Sequence, residues 1–223
     1  MDRGNTWMLI TSRSAAEYQA MFDLAERTTD SILDCCAGGA GFVAETGGGA
    51  VALDPVYALG QAELAELVRS GQQGASALSY ANAEHFDWSW YGNPQRREDM
   101  RAEAARRFLA DITARPGNYV AGDVHRLPFA DNSFDLVLCS HLLFTWSDVF
   151  DDDWHRRAIA ELLRVGRGEV RIFPTVVQKT GAPVPFLAAL RANFAARGVS
   201  SRLVKVPYLF QVGADEMLVF RPG

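Results

Sequence analysis

Seven short runs rich in apolar and β-branched residues recur along the chain, at 31–36, 50–54, 119–122, 134–139, 169–173, 203–208 and 216–220, with helical patterns between most of them. This alternation constrains the fold more than any other feature. Strands joined by crossover helices pair in parallel and bury both sheet faces, so the sequence predicts an α/β architecture. The expectation is a Rossmann-like, seven-stranded, mostly parallel sheet with helices on both faces. Only 211–215 precedes the last run, too little for a crossover helix, so the terminal strand is expected to be antiparallel. With 48% hydrophobic and 22% charged residues among 223, there is apolar material for one large core, read as a single domain over 1–223.

Local signals set the helix limits. Asn93 and Pro94 open a helix to about 113, in which Met100, Ala104, Phe108 and Ile112 recur four apart. Ser14 with Glu17 makes a capping box before Tyr18, Met21, Phe22 and Ala25, and 1–30 is read as an N-terminal lid with this helix. Further helices are expected at 59–70, 153–165 and 185–197, each closed by a glycine in the left-handed conformation: Gly71, Gly166 and Gly198. Residues 72–93 carry Tyr80, Phe86, His85, Trp88, Trp90 and Tyr91 among polar positions and are read as an aromatic insertion serving as a substrate lid.

A net charge of −5 gives no electrostatic footprint for nucleic acid. No apolar run approaches the roughly 20 residues of a membrane helix, and the N-terminus lacks a signal-peptide core, so a cytoplasmic protein without membrane attachment is expected. Cys35, Cys36 and Cys139 are an odd set read as reduced thiols, and no Cys/His spacing suggests a metal site.

The segment from Ile32 to Gly41 joins a buried strand ending in Asp34 and Cys36 to the small residues Ala37, Gly38 and Gly39. Small residues there let a ligand touch backbone, and in an open parallel sheet ligands bind outside the carboxyl ends of the strands. About 20 residues on, Asp54 and Pro55 close the second strand, a spacing at which a carboxylate receives ribose hydroxyls. Two acids at neighbouring strand ends suggest a nucleoside ligand. Asp34 would repel a pyrophosphate and attract an ammonium group, which disfavours a nicotinamide or flavin reading of Gly39-x-Gly41-x-x-Ala44.

These residues resemble the class I S-adenosylmethionine-dependent methyltransferases, within them the ubiquinone/menaquinone methyltransferase-like type. The most specific match is 122–138, GDVHRLPFADNSFDLVL, alongside 32–41 and 52–55, and the resemblance spans about 31–220. It implies that Asp34 and the backbone of Ala37, Gly38 and Gly39 hold the methionine part of the cofactor, with Cys36 and Pro55 alongside. It also implies that Asp54 accepts the ribose hydroxyls, that Asp123 accepts the adenine amino group with Val124 flanking the ring, and that Ser140 and His141 face the sulfonium and the acceptor. Cys36 and Ala40 stand where the family more often has glycine. A looser resemblance, carried by 139–144 and 170–174, is to uncharacterised bacterial members of the superfamily.

His141 is the candidate catalytic base, since imidazole titrates near neutrality; a histidine hydrogen-bonded at the sheet edge is the other reading. His125 is expected to shape the adenine pocket, His155 to lie at the surface, and 151–153 to serve a helix N-terminus. Asp135 reads as a turn or strand-start acid. His85, Trp88, Trp90, Tyr91 and Phe144 are candidate substrate contacts, with Trp7 and Trp146 as further aromatic wall. Arg96, Arg97, Arg101, Arg106 and Arg107 are expected to form a solvated helix face. The implied reaction is methyl transfer to a small-molecule acceptor, leaving S-adenosylhomocysteine. Two rivals stand beside it: a relative that binds the cofactor without methyl transfer, and a nicotinamide oxidoreductase.

Overall fold

The computed structural model describes residues 10–24, 31–81, 83–178 and 180–222, and the backbone alone for Leu78 and His85. Seven strands form one sheet: β1 (Ile32–Cys35), β2 (Ala50–Leu53), β3 (Tyr119–Val120), β4 (Phe134–Ser140), β5 (Gly166–Phe173), β6 (Ser200–Lys205) and β7 (Glu216–Arg221). Their order across the sheet is β3-β2-β1-β4-β5-β7-β6. β1 pairs in parallel with β2 and β4, β2 with β3, and β4 with β5; β7 enters between β5 and β6 antiparallel to both. The terminal strand is therefore antiparallel, as its short connection requires.

Helices cover both faces. Alternate strand residues feed two cores, with Ile32, Ala52, Leu136 and Leu138 on one side and Leu33, Leu53, Val137 and Cys139 on the other. On the first side pack α1 (Ala15–Phe22), α2 (Phe42–Glu45), α3 (Gln61–Ala81) and α4 (Pro94–Ala114). On the second pack α5 (Asp152–Val165) and α6 (Leu187–Ala195). Every residue of β1 is buried, as a central parallel strand demands.

The helix starts follow their caps. Ser14 and Glu17 form both halves of the capping box of α1. The Asn93 side chain accepts the Arg96 N–H at 2.8 Å at the head of α4, and Asp151 accepts that of Trp154 at 2.8 Å at the head of α5. Asp135 is structural: it accepts from the Ser31 N–H and hydroxyl, both at 2.9 Å, and pairs with Arg167.

Two glycine readings are corrected. Gly71 does not end a helix; α3 runs through it to Ala81, so the first half of the supposed insertion is helical. A Cβ at Gly71 would lie 2.1 Å from the Ile10 carbonyl oxygen, so this glycine admits the close passage of the N-terminal segment. Gly166 has φ −89°, not left-handed, and α5 passes directly into β5, which begins there. Gly198, with φ +84°, does take the left-handed turn after α6. Of the segment 1–30, expected to act as a lid, 10–24 is described; Trp7 lies outside the described residues. Among the described residues no helix is long and apolar enough to cross a membrane.

Candidate functional site

The sheet order reverses between β1 and β4, so a crevice opens beyond their carboxyl ends. The backbone leaves both strands under strain there: Cys36 has φ +60° and His141 φ +56°, left-handed positions that side chains rarely take. A cavity of about 350 Å³ fills the crevice, of the size used for small molecules. Its lining joins Cys36, Ala37 and Gly38 after β1, Asp54 and Pro55 after β2, Asp123 and Val124 after β3, and Ser140 and His141 at the end of β4.

At the β1–β2 end, Asp54 accepts the Gly38 N–H at 2.9 Å on one oxygen and the Val56 N–H at 3.1 Å on the other. Burial pushes its carboxyl up, against the pull of those two backbone donors. Each oxygen keeps a further lone-pair position, so a vicinal diol fits. Asp34 is fully buried behind this lining; the Tyr18 hydroxyl donates to Oδ1 at 3.1 Å, and Oδ2 has no partner among the described residues. Burial raises this carboxyl to about 8, the Tyr18 bond lowers it, and the neighbouring Asp54 raises it. An unpartnered buried carboxyl oxygen beside a second acid suits a ligand bringing hydroxyls and an ammonium group, and disfavours a pyrophosphate.

Gly38 has φ +57°, and a Cβ on Gly39 would meet the Ser12 hydroxyl at 2.8 Å, so Gly39 serves the N-terminal segment passing over the loop. Asp123 is exposed, and its Oδ1 accepts the His125 N–H at 2.7 Å and contacts His125 Nδ1 at 3.1 Å, which fixes the loop after β3. Asp34, Asp54 and Asp123 thus gather at one end, although Asp34 stands behind the lining.

At the other end His141 packs on the Phe173 ring, and its Nδ1 lies 2.9 Å from the Ser140 hydroxyl. Burial, then the positive charges of Arg13 and Arg101, hold the imidazole well below the usual histidine range, so it is neutral at neutral pH. Arg97 and Arg101 are buried and line the cavity, which corrects their assignment to a solvated face. Arg96, Arg106 and Arg107 are exposed as expected. Arg101 donates to Glu17 Oε1 from Nε at 3.1 Å and from a terminal nitrogen at 3.0 Å. The Tyr91 hydroxyl donates to the same oxygen at 2.5 Å and sits 2.7 Å from that of Tyr208. Arg97 lies 4.7 Å over the Phe210 ring.

The candidate aromatic contacts mostly stand one layer back. Trp88 packs on Tyr80 and Phe210, and Trp90 on Tyr91 and Tyr208, so they support Tyr208 and Phe210, which line the cavity along with Phe86 and Trp146. Tyr91 is fully buried in the Glu17–Arg101 cluster. Phe144, also fully buried, stacks on His155 with ring centroids 5.5 Å apart. His155 is not at the surface: it is buried, accepts the Phe144 N–H at 3.1 Å on Nε2 and sits 2.7 Å from the Asp151 carbonyl through Nδ1. The His85 side chain lies outside the described residues.

Sequence reading missed Arg13, Arg97, Arg101, Tyr208, Phe210 and Gln178. For two of them the signal was present: Arg97 and Arg101 continue, at three- and four-residue spacing, the buried stripe of Ala104 and Phe108. The distant Tyr208 and Phe210 left no such local mark. Among the described residues no group of His, Cys, Asp and Glu is arranged to hold a metal ion.

Residues 94–173 match the family model described as a methyltransferase domain. The chain is 25% identical over 218 residues to uncharacterized protein MJ0045 of Methanocaldococcus jannaschii, covering 96% of each chain. Among solved structures it is similar to an S-adenosylmethionine-dependent methyltransferase of Thermotoga maritima, a possible histamine N-methyltransferase, at 13% identity and TM-score 0.43, covering 92% of this chain and 86% of that one. A methyltransferase of Aquifex aeolicus is similar at 13% identity and TM-score 0.43, covering 92% and 90% respectively. The methyltransferase-domain match runs from the head of α4 through β5, and so takes in β3, β4 and the loops that follow them at the crevice.

Proposed function

We propose that this chain transfers the methyl group of S-adenosylmethionine to a small organic acceptor. The observation that carries the reading is the two-ended cavity at the β1/β4 crevice. Its acidic, glycine-lined end fits an adenosyl and aminoacyl ligand, and its aromatic end meets it at Ser140 and His141. When bound, the cofactor supplies a methyl group made electrophilic by its sulfonium.

The protein's own part is positioning. Asp54 takes the ribose hydroxyls on its remaining lone pairs, Asp123 and Val124 receive the adenine, and Cys36 to Gly38 with Asp34 behind them hold the aminoacyl part. Pro55 fixes the turn that aims Asp54. At the far end Phe173, Tyr208 and Phe210 exclude water from the acceptor, raising its effective concentration beside the methyl donor. His141 is neutral, and its Nε2 has no partner among the described residues, so this nitrogen takes the proton from an acceptor hydroxyl or amine.

The test is turnover with methyl-labelled cofactor against a panel of phenols, amines and organic acids. Label is expected in a small-molecule product, with S-adenosylhomocysteine released. Cofactor binding without transfer to any acceptor would assign the chain to the non-methylating relatives. Tighter binding of a nicotinamide dinucleotide would overturn the cofactor itself.

A further inference from the structure

The acceptor end of the cavity carries more positive charge than the protein neutralises. Three guanidiniums line it, those of Arg13, Arg97 and Arg101, and the buried carboxylate among them is Glu17. That carboxylate is fully engaged. Its Oε1 accepts from Arg101 and Tyr91, and its Oε2 accepts from the Ser14 N–H at 2.8 Å and the Ser14 hydroxyl at 3.1 Å. Arg101 is thereby paired. Arg13 and Arg97 have no carboxylate at ion-pair distance among the described residues, and the Nε of each is buried without a hydrogen-bond partner.

Arg97 is only 3% exposed. A charge held so far out of water is costly unless something pairs it, and the Phe210 ring face beneath it supplies only part of that pairing. The chain as a whole is acidic, at −5, so this local excess is no by-product of a basic protein. Of the acids that could offset it, Asp54 and Asp123 belong to the opposite end, and Asp34, although it feels Arg13, is pushed by burial up to about 8 and so holds its proton at neutral pH. A guanidinium presents a planar fork suited to a carboxylate or phosphate, and the aromatic lining beside it suits an apolar body.

We propose that the methyl acceptor is a small organic acid, whose carboxylate or phosphate is bound by Arg97 and Arg13 and whose apolar body lies against Phe210 and Tyr208, leaving the reacting atom toward His141. This rests on the methyltransferase reading of the same cavity. The anion has a second effect. Arg13 and Arg101 weaken His141 as a base, and a negative charge placed among the guanidiniums offsets them.

The test is calorimetric titration of the whole chain, saturated with S-adenosylhomocysteine, with benzoate, phenyl phosphate and neutral benzamide. At least one anion is expected to bind about tenfold or more tightly than benzamide, and the stronger of the two identifies carboxylate or phosphate as the anchor. In Arg97→Met that preference is expected to vanish while S-adenosylhomocysteine binding persists, which shows the variant is folded. Arg97→Lys, which keeps the charge without the fork, is expected to retain part of it. Benzamide binding as tightly as both anions, failure of both anions to bind, or an unchanged preference in Arg97→Met overturns the proposal. A chain that prefers the anion yet binds no S-adenosylhomocysteine loses the methyltransferase reading and keeps the anion site. A chain that binds S-adenosylhomocysteine and ignores the anions loses the anion site alone.

Discussion

Asp34 shows what burial does to a single residue of the site. Its carboxyl is shut from water, receives one hydrogen bond from Tyr18 and is pushed up to about 8, chiefly by burial. In the unfolded chain an aspartate titrates near about 3.9. Between those values the folded chain holds a proton that the unfolded chain has released, so the sign is fixed. The group's contribution to stability is complete below about pH 4 and declines as pH rises toward 8, by at most about 1.4 kcal/mol per pH unit. Asp34→Asn removes the titration. Thermal melts of the ligand-free chain between about pH 5 and 8 should show the wild type losing stability relative to this variant as pH rises; a constant difference would mean that Asp34 ionises normally. The residue's place at a strand end was legible from the sequence. Its protonation was not, because the burial comes from α1 and Tyr18, which reach Asp34 only in the folded chain.

At the scale of elements, the features that transferred from sequence to structure are those written within a few residues. Ser14, Asn93 and Asp151 cap the helices they precede, and the short link before β7 makes it antiparallel. The failures share one cause, contacts between segments far apart in sequence. Arg97 and Arg101 look like surface charges until Glu17 and Phe210 arrive from elsewhere, and Gly71 looks like a stop signal until Ile10 crosses it. Gly71 gives the cleaner check, because two effects oppose there. Alanine favours a helix interior over glycine by about 1 kcal/mol, yet its Cβ would stand 2.1 Å from the Ile10 carbonyl oxygen, and overpacking of this kind costs roughly 1–3 kcal/mol. Contact with backbone leaves no flexible side chain to yield, so Gly71→Ala is expected to lower the melting temperature by several degrees. A rise in melting temperature would show that the N-terminal segment is free to move off α3.

On the scale of the whole molecule, the cavity is where sequence-distant parts of the chain converge: the segment at 10–13, the loops after β1, β2, β3 and β4, the head of α4, and the stretch between β6 and β7. Its ends carry opposite charge, carboxylates on the β1–β3 side and guanidiniums on the α4 side, inside a protein whose net charge reveals neither. A ligand at such a junction contacts a surface that exists only when the entire fold is assembled, so its binding free energy adds to global stability. S-adenosylhomocysteine at about 100 times its dissociation constant should add about 2.7 kcal/mol, which for a domain of this size raises the melting temperature by roughly 5–10 °C. Asp54→Ala separates the site from the scaffold. Losing the Asp54 bonds to the Gly38 and Val56 N–H groups costs the ligand-free chain about 1–2 kcal/mol, so its own transition falls by a few degrees. The decisive quantity is the increment on adding ligand, measured by differential scanning calorimetry at matched concentrations. It should shrink to near zero in the variant, which lacks the carboxylate proposed to hold the ribose; an increment equal to that of the wild type would place the adenosyl group away from β2.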